Sequence, residues 1–424
     1  MESHFEAAAN LWTWTFCALL LAHLGTRFWL ASRQIRHVAT HRHAVPAPFE
    51  STIGLAAHQK AADYTIAKTR LGLLAAALSS AVVLGWTLLG GLHLLNQGLL
   101  NLMGPGMWQQ IALLGTFFLV GGLIELPLSW YATFRLEERF GFNRITLGLW
   151  LADGAKGLVV AALLGLPIAA LVLWLMQAGG SLWWLWAWAA WMGFNLLLLV
   201  IYPTFIAPLF NKFEPLQDES LKARIQHLMQ RCGFSAKGLY VMDGSKRSAH
   251  ANAYFTGFGP AKRVVFFDTL LSQLNADEVD AVLAHELGHF KHRHIIKRMV
   301  TLFAVSLAGF ALLGWLSGQV WFYTGLNVVP SLAHPNSALA LLLFALVAPL
   351  GSFFLTPLSS QVSRAHEFEA DAYAMQQTSG RDLASALLKL YKDNASTLTP
   401  DPLFVKFYYS HPPAGERLAR MQQA

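Results

Sequence analysis

The residues best suited to chemistry lie in the segment His285-Glu286-Leu287-Gly288-His289. Two histidines at positions i and i+4 share one face of a helix, so both imidazoles can bind one Zn²⁺ ion. Glu286 follows the first histidine and can take a proton from water at the metal, and that water then attacks a carbonyl group. The segment therefore predicts a peptidase that uses one zinc ion per chain, and two solvated histidines are the alternative.

A catalytic zinc ion needs a third protein ligand. A histidine ten residues after the first is excluded because Ile295 stands there, and His292 lies too far along the same straight helix. Glu367 is the better candidate, and Asp371 on the same helix face could accept the outer N–H of a ligating histidine. Glu369 points about 160° away from Glu367 and is a weaker candidate. An exposed amphipathic turn is the alternative for this segment.

The helix that carries the two histidines has a clear start. Asn275 is the predicted N-cap, and Glu278 three residues later completes a capping box. Acidic residues in the first turn also suit the positive end of the helix dipole. We therefore expect the helix to begin at this point and to present Val279, Val282, Leu283 and Leu287 as one apolar face.

Short strands are predicted upstream of that helix. Residues 238–242 and 263–267 are rich in Val, Tyr and Phe, as is typical of strands, and residues 219–230 have helical spacing. Residues 248–257 could form another strand, which Gly257 and Gly259-Pro260 would end. This strand could be part of a core hairpin, or it could be an edge that pairs with an extended peptide.

The remaining helices are predicted from stretches of the sequence that contain no charged residues. Of the 424 residues, 55% are hydrophobic and 13% are charged, whereas a soluble domain has about 25% charged residues. A membrane-spanning helix needs about 20 apolar residues, and three charge-free stretches are each long enough for two spans. Together with an amino-terminal segment they predict seven spans, near residues 8–30, 71–95, 107–127, 157–177, 181–205, 299–321 and 337–357.

The first span is expected to be retained, because its start is acidic and no cleavage site follows it, unlike a signal peptide. The basic residues are absent from the loops on one side of the predicted membrane. The positive-inside rule then predicts an outward amino terminus, with residues 207–298 and 358–424 facing the cytoplasm. The net charge of +7 is thereby assigned to membrane topology, and no nucleic-acid partner is expected.

Four parts of the chain are predicted on this basis. Residues 1–206 would hold spans one to five with their inward loops, and residues 207–298 would hold the protease segment. Residues 299–357 would hold spans six and seven, and residues 358–424 would hold a cytoplasmic segment with the third zinc ligand. The fold class is mainly α: a polytopic membrane protein with seven transmembrane helices and a small α+β part on the cytoplasmic side.

Taken together, these motifs resemble the zinc-dependent CaaX prenyl proteases, which are membrane metalloendopeptidases of the a-factor-converting type. The resemblance covers nearly the whole chain and is carried by the histidine motif, by residues 252–257, 265–271 and 363–371, and by Ser410-His411-Pro412-Pro413 with Glu416-Arg417. The resemblance implies a fold in which the seven helices enclose a chamber, with a small α+β zinc protease part that is similar to gluzincins. Members of this family remove the last three residues of isoprenylated proteins. The resemblance therefore implies a peptide or protein substrate, lipidated or not, and a place in the lipid bilayer.

The resemblance also implies a role for individual residues. The zinc ligands would be His285, His289 and Glu367, with Glu286 as general base and Asp371 beside the ligands. His411 would lie near the zinc and hold the developing oxyanion, and Arg364 would steady the ligand helix. Substrate backbone would be aligned by the strand that carries Asn252, Ala253 and Tyr254.

Two other functions are open on sequence alone. One is a membrane quality-control metalloprotease of the heat-shock type, and the other is a non-catalytic membrane protein, such as a transporter with an incidental histidine pair. The separated charges and short loops are typical of bacterial proteins, so we expect a bacterial member of the family that lies in the inner membrane. In a bacterium, its substrates would differ from prenylated CaaX proteins.

Overall fold

The structure, a computed structural model, describes residues 2–234, 238–256 and 263–423. Most of this part is helical. The amino-terminal helices are α1 Glu2–His41, α2 Leu55–Trp86, α3 Gly91–Met103, α4 Met107–Tyr131, α5 Leu147–Ala178, α6 Trp183–Ile201 and α7 Ala207–Phe210. The central helices are α8 Glu219–Arg231, α9 Asp268–Gln273, α10 Ala276–Lys291, α11 His294–Leu316 and α12 Val320–Thr324. The remaining helices are α13 Ser337–Ser352, α14 Thr356–Gln377, α15 Gly380–Asp393, α16 Pro402–Tyr408 and α17 Ala414–Gln423.

Within the described residues, seven helical stretches are long and apolar enough to cross a membrane, which is the number predicted. They are Glu6–His41, Leu55–Trp86, Met107–Glu137, Leu147–Ala178, Gly180–Phe210, His294–Leu316 and Ser337–Gln377. Several run past the predicted limits because polar residues continue the same helix beyond its apolar part. The last stretch, for example, carries the apolar segment directly into the helix that holds Glu367.

The second span differs from its prediction at 71–95. The helix begins earlier, at Leu55, and it ends at Trp86. Gly90 has a positive φ of 79°, in the left-handed region that glycine reaches without strain, and a separate helix, α3, follows it. The carboxyl end of the prediction was therefore wrong, because an absence of charge does not reveal a break inside an apolar stretch.

The four-stranded sheet has the order β1-β2-β4-β3, with β1 Phe213–Pro215, β2 Gly238–Met242, β3 Ala253–Thr256 and β4 Arg263–Phe267. Strands β2 and β4 have the predicted bounds and run parallel. Strand β3 is shorter than the predicted 248–257 and pairs antiparallel with β4. It also lies at one edge of the described sheet. The segment can therefore both pair within the sheet, as in a core hairpin, and offer an edge to an extended peptide. Gly257, Gly259 and Pro260 lie outside the described residues.

Helix α10 is capped as predicted. The Asn275 side chain accepts from the Glu278 backbone N–H, and the Glu278 carboxylate accepts from the Asn275 backbone N–H at 2.8 Å. The same buried carboxylate also accepts hydrogen bonds from Ser385 at 2.6 Å and from Lys389 at 2.7 Å, both on α15. The cap therefore fixes the start of α10 and ties it to the carboxy-terminal helices.

Helices α10 and α14 cross with their main chains in contact at Gly288 and Ala370. A Cβ atom added at Gly288 would lie 2.9 Å from the Cα atom of Ala370 and 3.1 Å from its carbonyl oxygen. Any larger side chain at position 288 would therefore push the two helices apart. This crossing brings the histidine motif on α10 next to Glu367 and Asp371 on α14.

Candidate metal centre

The crossing of α10 and α14 gathers His285, His289 and Glu367 into one cluster. Nε2 of His285 lies 3.3 Å from Nε2 of His289 and 3.4 Å from Oε2 of Glu367, and Nε2 of His289 lies 3.4 Å from the other carboxylate oxygen, Oε1. Two ligand atoms bound tetrahedrally at about 2.0–2.1 Å from one ion are about 3.3–3.4 Å apart, which matches the separation of the two nitrogens and of each nitrogen from its neighbouring carboxylate oxygen. The three side chains therefore fit a small tetrahedral metal ion.

The carboxylate of Glu367 gives a second indication of this fit. It is 4% exposed, and its Oε2 atom makes no hydrogen bond with any described residue. A buried carboxylate oxygen without a hydrogen bond is costly unless something else neutralises it. A divalent cation between this oxygen and the two imidazoles would remove that cost.

The outer nitrogen of His285 faces Asp371. Oδ1 of Asp371 lies 2.9 Å from Nδ1 of His285, which leaves Nε2 directed at the cluster. Burial alone would lower the pKa of His285, but the neighbouring carboxylates of Asp371 and Glu367 outweigh it and raise the pKa to about 9. The predicted contact between Asp371 and a clustered histidine is therefore present.

Arg417 on α17 completes this side of the cluster. Its Nε atom donates to Oδ2 of Asp371 at 2.8 Å, and its Nη2 atom donates to Oδ1. Its Nη1 atom also lies 3.9 Å from Oε2 of Glu367. Glu416-Arg417 is part of the family resemblance, but the sequence does not predict the contact of Arg417 with Asp371, because only long-range folding brings α17 to α14.

His411 lies on the open side of the cluster. Its Nε2 atom is 3.4 Å from Oε1 of Glu367, and its side chain is 64% exposed. Ser410 Oγ is 2.9 Å from the other ring nitrogen, Nδ1. Arg364 donates to the carbonyl oxygens of Val405 at 2.9 Å and of Tyr409 at 2.7 Å, so it joins α14 to the segment just before His411.

Glu286 is half-buried beside His285 on α10 and makes no hydrogen bond or ion pair with the part of the chain that the structure describes. Glu369 and His292, the two weaker candidates, are outside the cluster. Glu369 faces away from Glu367 and lies 2.8 Å from Nε2 of His294. His292 is the carboxyl-terminal cap of α10.

The predicted substrate-binding residues lie at the outer edge of the sheet, where β3 pairs with β4 and with no other described strand. On the inner side of β3, Ala253 and Tyr254 pair with Phe266 and Val265 of β4. Asn252, just before the strand, is exposed. Strand β3 also contacts the end of the motif helix, because the rings of Phe255 and Phe290 are 5.1 Å apart. The edge strand is thus attached to α10 one residue after His289.

A cavity of about 760 Å³ adjoins the cluster at His411. Helices α1, α2, α15 and α16 contribute to its wall. The described residues that line it include the cations Arg27 and Lys68 and many hydroxyl and amide groups, but no Asp or Glu. Both cations come from membrane-spanning helices, where charged residues commonly mark a substrate path.

Comparison with known proteins is consistent with this geometry. Residues 34–212 match the family described as CAAX prenyl protease N-terminal, five membrane helices, and residues 215–424 match Peptidase family M48. A CAAX prenyl protease 1 homolog of Arabidopsis thaliana is 40% identical over 324 residues, which cover 75% of this chain and 71% of that protein. CAAX prenyl protease 1 of Saccharomyces cerevisiae is 38% identical over 327 residues, which cover 74% and 72%.

The crystal structure of S. mikatae Ste24p has the same fold, with a TM-score of 0.91 and 32% sequence identity over 97% of this chain and 99% of that one. This confirms the predicted polytopic, mainly α architecture with a small sheet, and the predicted family. The chain therefore belongs to peptidase family M48 and is an integral-membrane metalloprotease of the CAAX prenyl protease type.

Proposed function

We propose that this metalloprotease uses zinc, held by His285, His289 and Glu367. The proposal rests on the separations in the cluster: the two Nε2 atoms are 3.3 Å apart, and each lies 3.4 Å from one of the two Glu367 carboxylate oxygens, as suits tetrahedral zinc with nitrogen and oxygen ligands. When bound, the ion would supply Lewis acidity that lowers the pKa of water and polarises the scissile carbonyl group.

The protein groups around the cluster would carry out the proton transfers and positioning. Glu286 would accept the proton of the attacking water and pass it to the leaving amine. His411, on the open side, would donate a hydrogen bond to the developing oxyanion. Asp371 would hold the tautomer of His285, and Arg364 would keep the ligand helix in register with His411.

The outer edge of β3 would hold the substrate as an additional strand. Asn252, Ala253 and Tyr254 present this edge, and the contact between Phe255 and Phe290 supports its place beside the histidine motif. An extended peptide bound there would have its backbone fixed by hydrogen bonds. This would leave its side chains free to set specificity.

The cavity supports a substrate cut near its carboxy terminus, as the names of the relatives suggest. A peptide carboxylate entering it would meet Arg27 and Lys68 and no opposing carboxylate among the described lining residues. Lys68 lies 3.5 Å from the hydroxyl of Tyr64, which donates to Glu137 at 2.6 Å, so Arg27 is the less compensated of the two cations. The substrate class would then be peptides with a free carboxy terminus, lipidated or not.

The orientation is part of the proposal. The loops without Lys or Arg would face outward together with the amino terminus, and the metal centre would face the cytoplasm, in a bacterium from the inner membrane. The four-part division at 1–206, 207–298, 299–357 and 358–424 remains a prediction. Nucleic acid is not among the proposed partners.

The variant Glu286→Ala tests the mechanism. We expect one zinc ion per chain to remain, because Glu286 is not a ligand, and peptide cleavage to fall by about 10²–10⁴-fold. Metal analysis of the purified protein and cleavage of a fluorescent peptide would measure both quantities. Glu416→Ala, an exposed change on α17, is the matched control. Unchanged cleavage by Glu286→Ala would disprove the role of the glutamate.

A further inference from the structure

Asp371 contacts the cluster at His285, and a second chain of hydrogen bonds reaches it at His289. Nδ1 of His289 lies 2.9 Å from Nδ1 of His294, and Nε2 of His294 lies 2.8 Å from Oε2 of Glu369. The three groups therefore form a line that runs from a carboxylate, through one imidazole, to the outer nitrogen of an imidazole in the cluster.

The chemistry of these groups determines where the protons lie. An ionised Glu369 can only accept, so Nε2 of His294 must carry the proton in that hydrogen bond. The Nδ1 atom of a neutral His294 is then an acceptor, and the hydrogen bond between the two rings requires a proton on Nδ1 of His289. That tautomer leaves the lone pair of His289 Nε2 directed at Glu367 and free to bind a metal.

Local backbone structure and packing hold His294 in place. Arg293, between α10 and α11, has a positive φ of 55°, which is uncommon for a residue with a side chain and turns the chain back at this point. The His294 ring is 5% exposed and stacks on His366, with ring centroids 3.9 Å apart and planes 11° apart. The turn and the stacking therefore aim His294 at His289.

We propose that His294 is a positioning residue for the metal centre, with Glu369 setting its tautomer. This inference rests on the proposed function, because it assigns the two residues to the same zinc site. The two ligand imidazoles are then oriented in different ways. His285 contacts the carboxylate of Asp371 directly, whereas His289 is linked to the carboxylate of Glu369 through the imidazole of His294. Such contacts to the outer nitrogen of a ligand raise metal affinity by orienting the ring and fixing its tautomer.

Zinc affinity of the full-length chain in detergent tests the proposal. His294→Phe keeps an aromatic ring for stacking but removes the hydrogen bond, and we expect zinc to bind about 10- to 100-fold more weakly in a chelator competition. His294→Asn places an amide oxygen near the former Nδ1 position, so it should recover part of the loss. Glu369→Gln retains an acceptor for His294 and should change the affinity less than Glu369→Leu does.

The matched control is His292→Phe. The His292 ring also stacks on His294, with planes 15° apart, and its Nδ1 atom lies 3.9 Å from Oε2 of Glu369, which is beyond hydrogen-bond distance. We expect this variant to bind zinc within about twofold of the wild type. The visible spectrum of the Co²⁺-substituted protein should change for His294→Phe and stay the same for His292→Phe, because only the first change alters the hydrogen bonding of a metal ligand.

Two results would overturn the proposal. One is zinc affinity of His294→Phe within twofold of the wild type, and the other is an equal loss for His294→Phe and His294→Asn, which would indicate a packing role only. Thermal unfolding of the metal-free variants would show whether each one is folded. If the wild type binds zinc but cuts no peptide, the proposed function fails while the affinity comparison still decides the role of His294.

Discussion

Arg417 holds Asp371 with two hydrogen bonds, and Asp371 in turn contacts the outer nitrogen of His285. All three side chains are buried. Arg417 belongs to the last helix of the chain, so the carboxy terminus is part of the support of the metal centre. The guanidinium also compensates the charge of a carboxylate that is 4% exposed.

Arg417→Met should therefore destabilise the fold and the site together. Removing one member of a buried ion pair costs about 3–5 kcal/mol of the free energy of unfolding, because the remaining charge loses its partner. We expect a loss of this size in denaturant titrations in detergent, with weaker metal binding. Arg420→Met, an exposed change on the same helix, is the control. Equal stability of the two variants would contradict the buried-pair argument.

Glu367→Gln should lower the metal content without unfolding the chain. An amide is a poorer ligand for zinc than a carboxylate, and the two imidazoles alone do not complete the site. We expect substoichiometric metal after dialysis against a weak chelator, whereas Glu416→Gln should retain about one ion per chain. Full occupancy in Glu367→Gln would remove this residue from the ligand set.

Arg27→Gln should change substrate preference. If Arg27 receives the terminal carboxylate of the substrate, kcat/KM should fall about tenfold for a peptide with a free carboxy terminus, which corresponds to about 1.4 kcal/mol. The same peptide with a terminal amide should be cut equally by the wild type and the variant. Arg36→Gln, exposed on the same helix and outside the cavity wall, is the control. An equal loss on both peptides would show that Arg27 supports the fold instead.

Glu278→Gln should make stability less dependent on pH. Burial alone would raise the pKa of Glu278, but hydrogen bonds from Lys389, Ser385 and the Asn275 backbone outweigh it and hold the pKa below its ordinary value of 4.5. A lowered pKa stabilises the fold above about pH 4.5, and the stabilisation is lost as the pH falls through the folded-state value.

Glutamine can still complete the capping box, so this variant isolates the charge. We expect the wild type to exceed Glu278→Gln by about 1–2 kcal/mol in the free energy of unfolding at pH 7, because Lys389 is partly exposed. The difference should shrink as the pH falls below about 4.5 and through the folded-state pKa of Glu278. Glu219→Gln, with a side chain that is 78% exposed, is the control. A difference that does not change with pH would exclude the ion pair as its cause.

Local patterns predicted those parts of the structure that depend on neighbouring residues. The capping box at Asn275, the bounds of β2 and β4 and the number of spans follow from short-range spacing, hydropathy and charge. The position of Glu367 beside the histidine motif was also predicted from the sequence, because zinc needs a third ligand and few carboxylates occur after the last span.

The remaining features depend on contacts between distant segments. The motif with Glu416-Arg417 contributes to the family resemblance, but its spacing does not predict that Arg417 lies beside Asp371, since α17 reaches α14 only after the chain has folded. The contact between His294 and His289 depends on the positive φ of Arg293, which no sequence pattern of this arginine predicts. The end of α2 at Trp86 was missed for a similar reason, because no change in polarity marks it.

The crossing at Gly288 has a consequence for ion selection. Since α10 and α14 already touch through their main chains, they cannot close further around an ion of smaller radius. An ion of larger radius would require the two helices to move apart, which would disrupt the packing of each helix against its neighbours. The fixed distance between the two main chains would then select ions by radius, in addition to the selection that the nitrogen and oxygen ligands make by ion type.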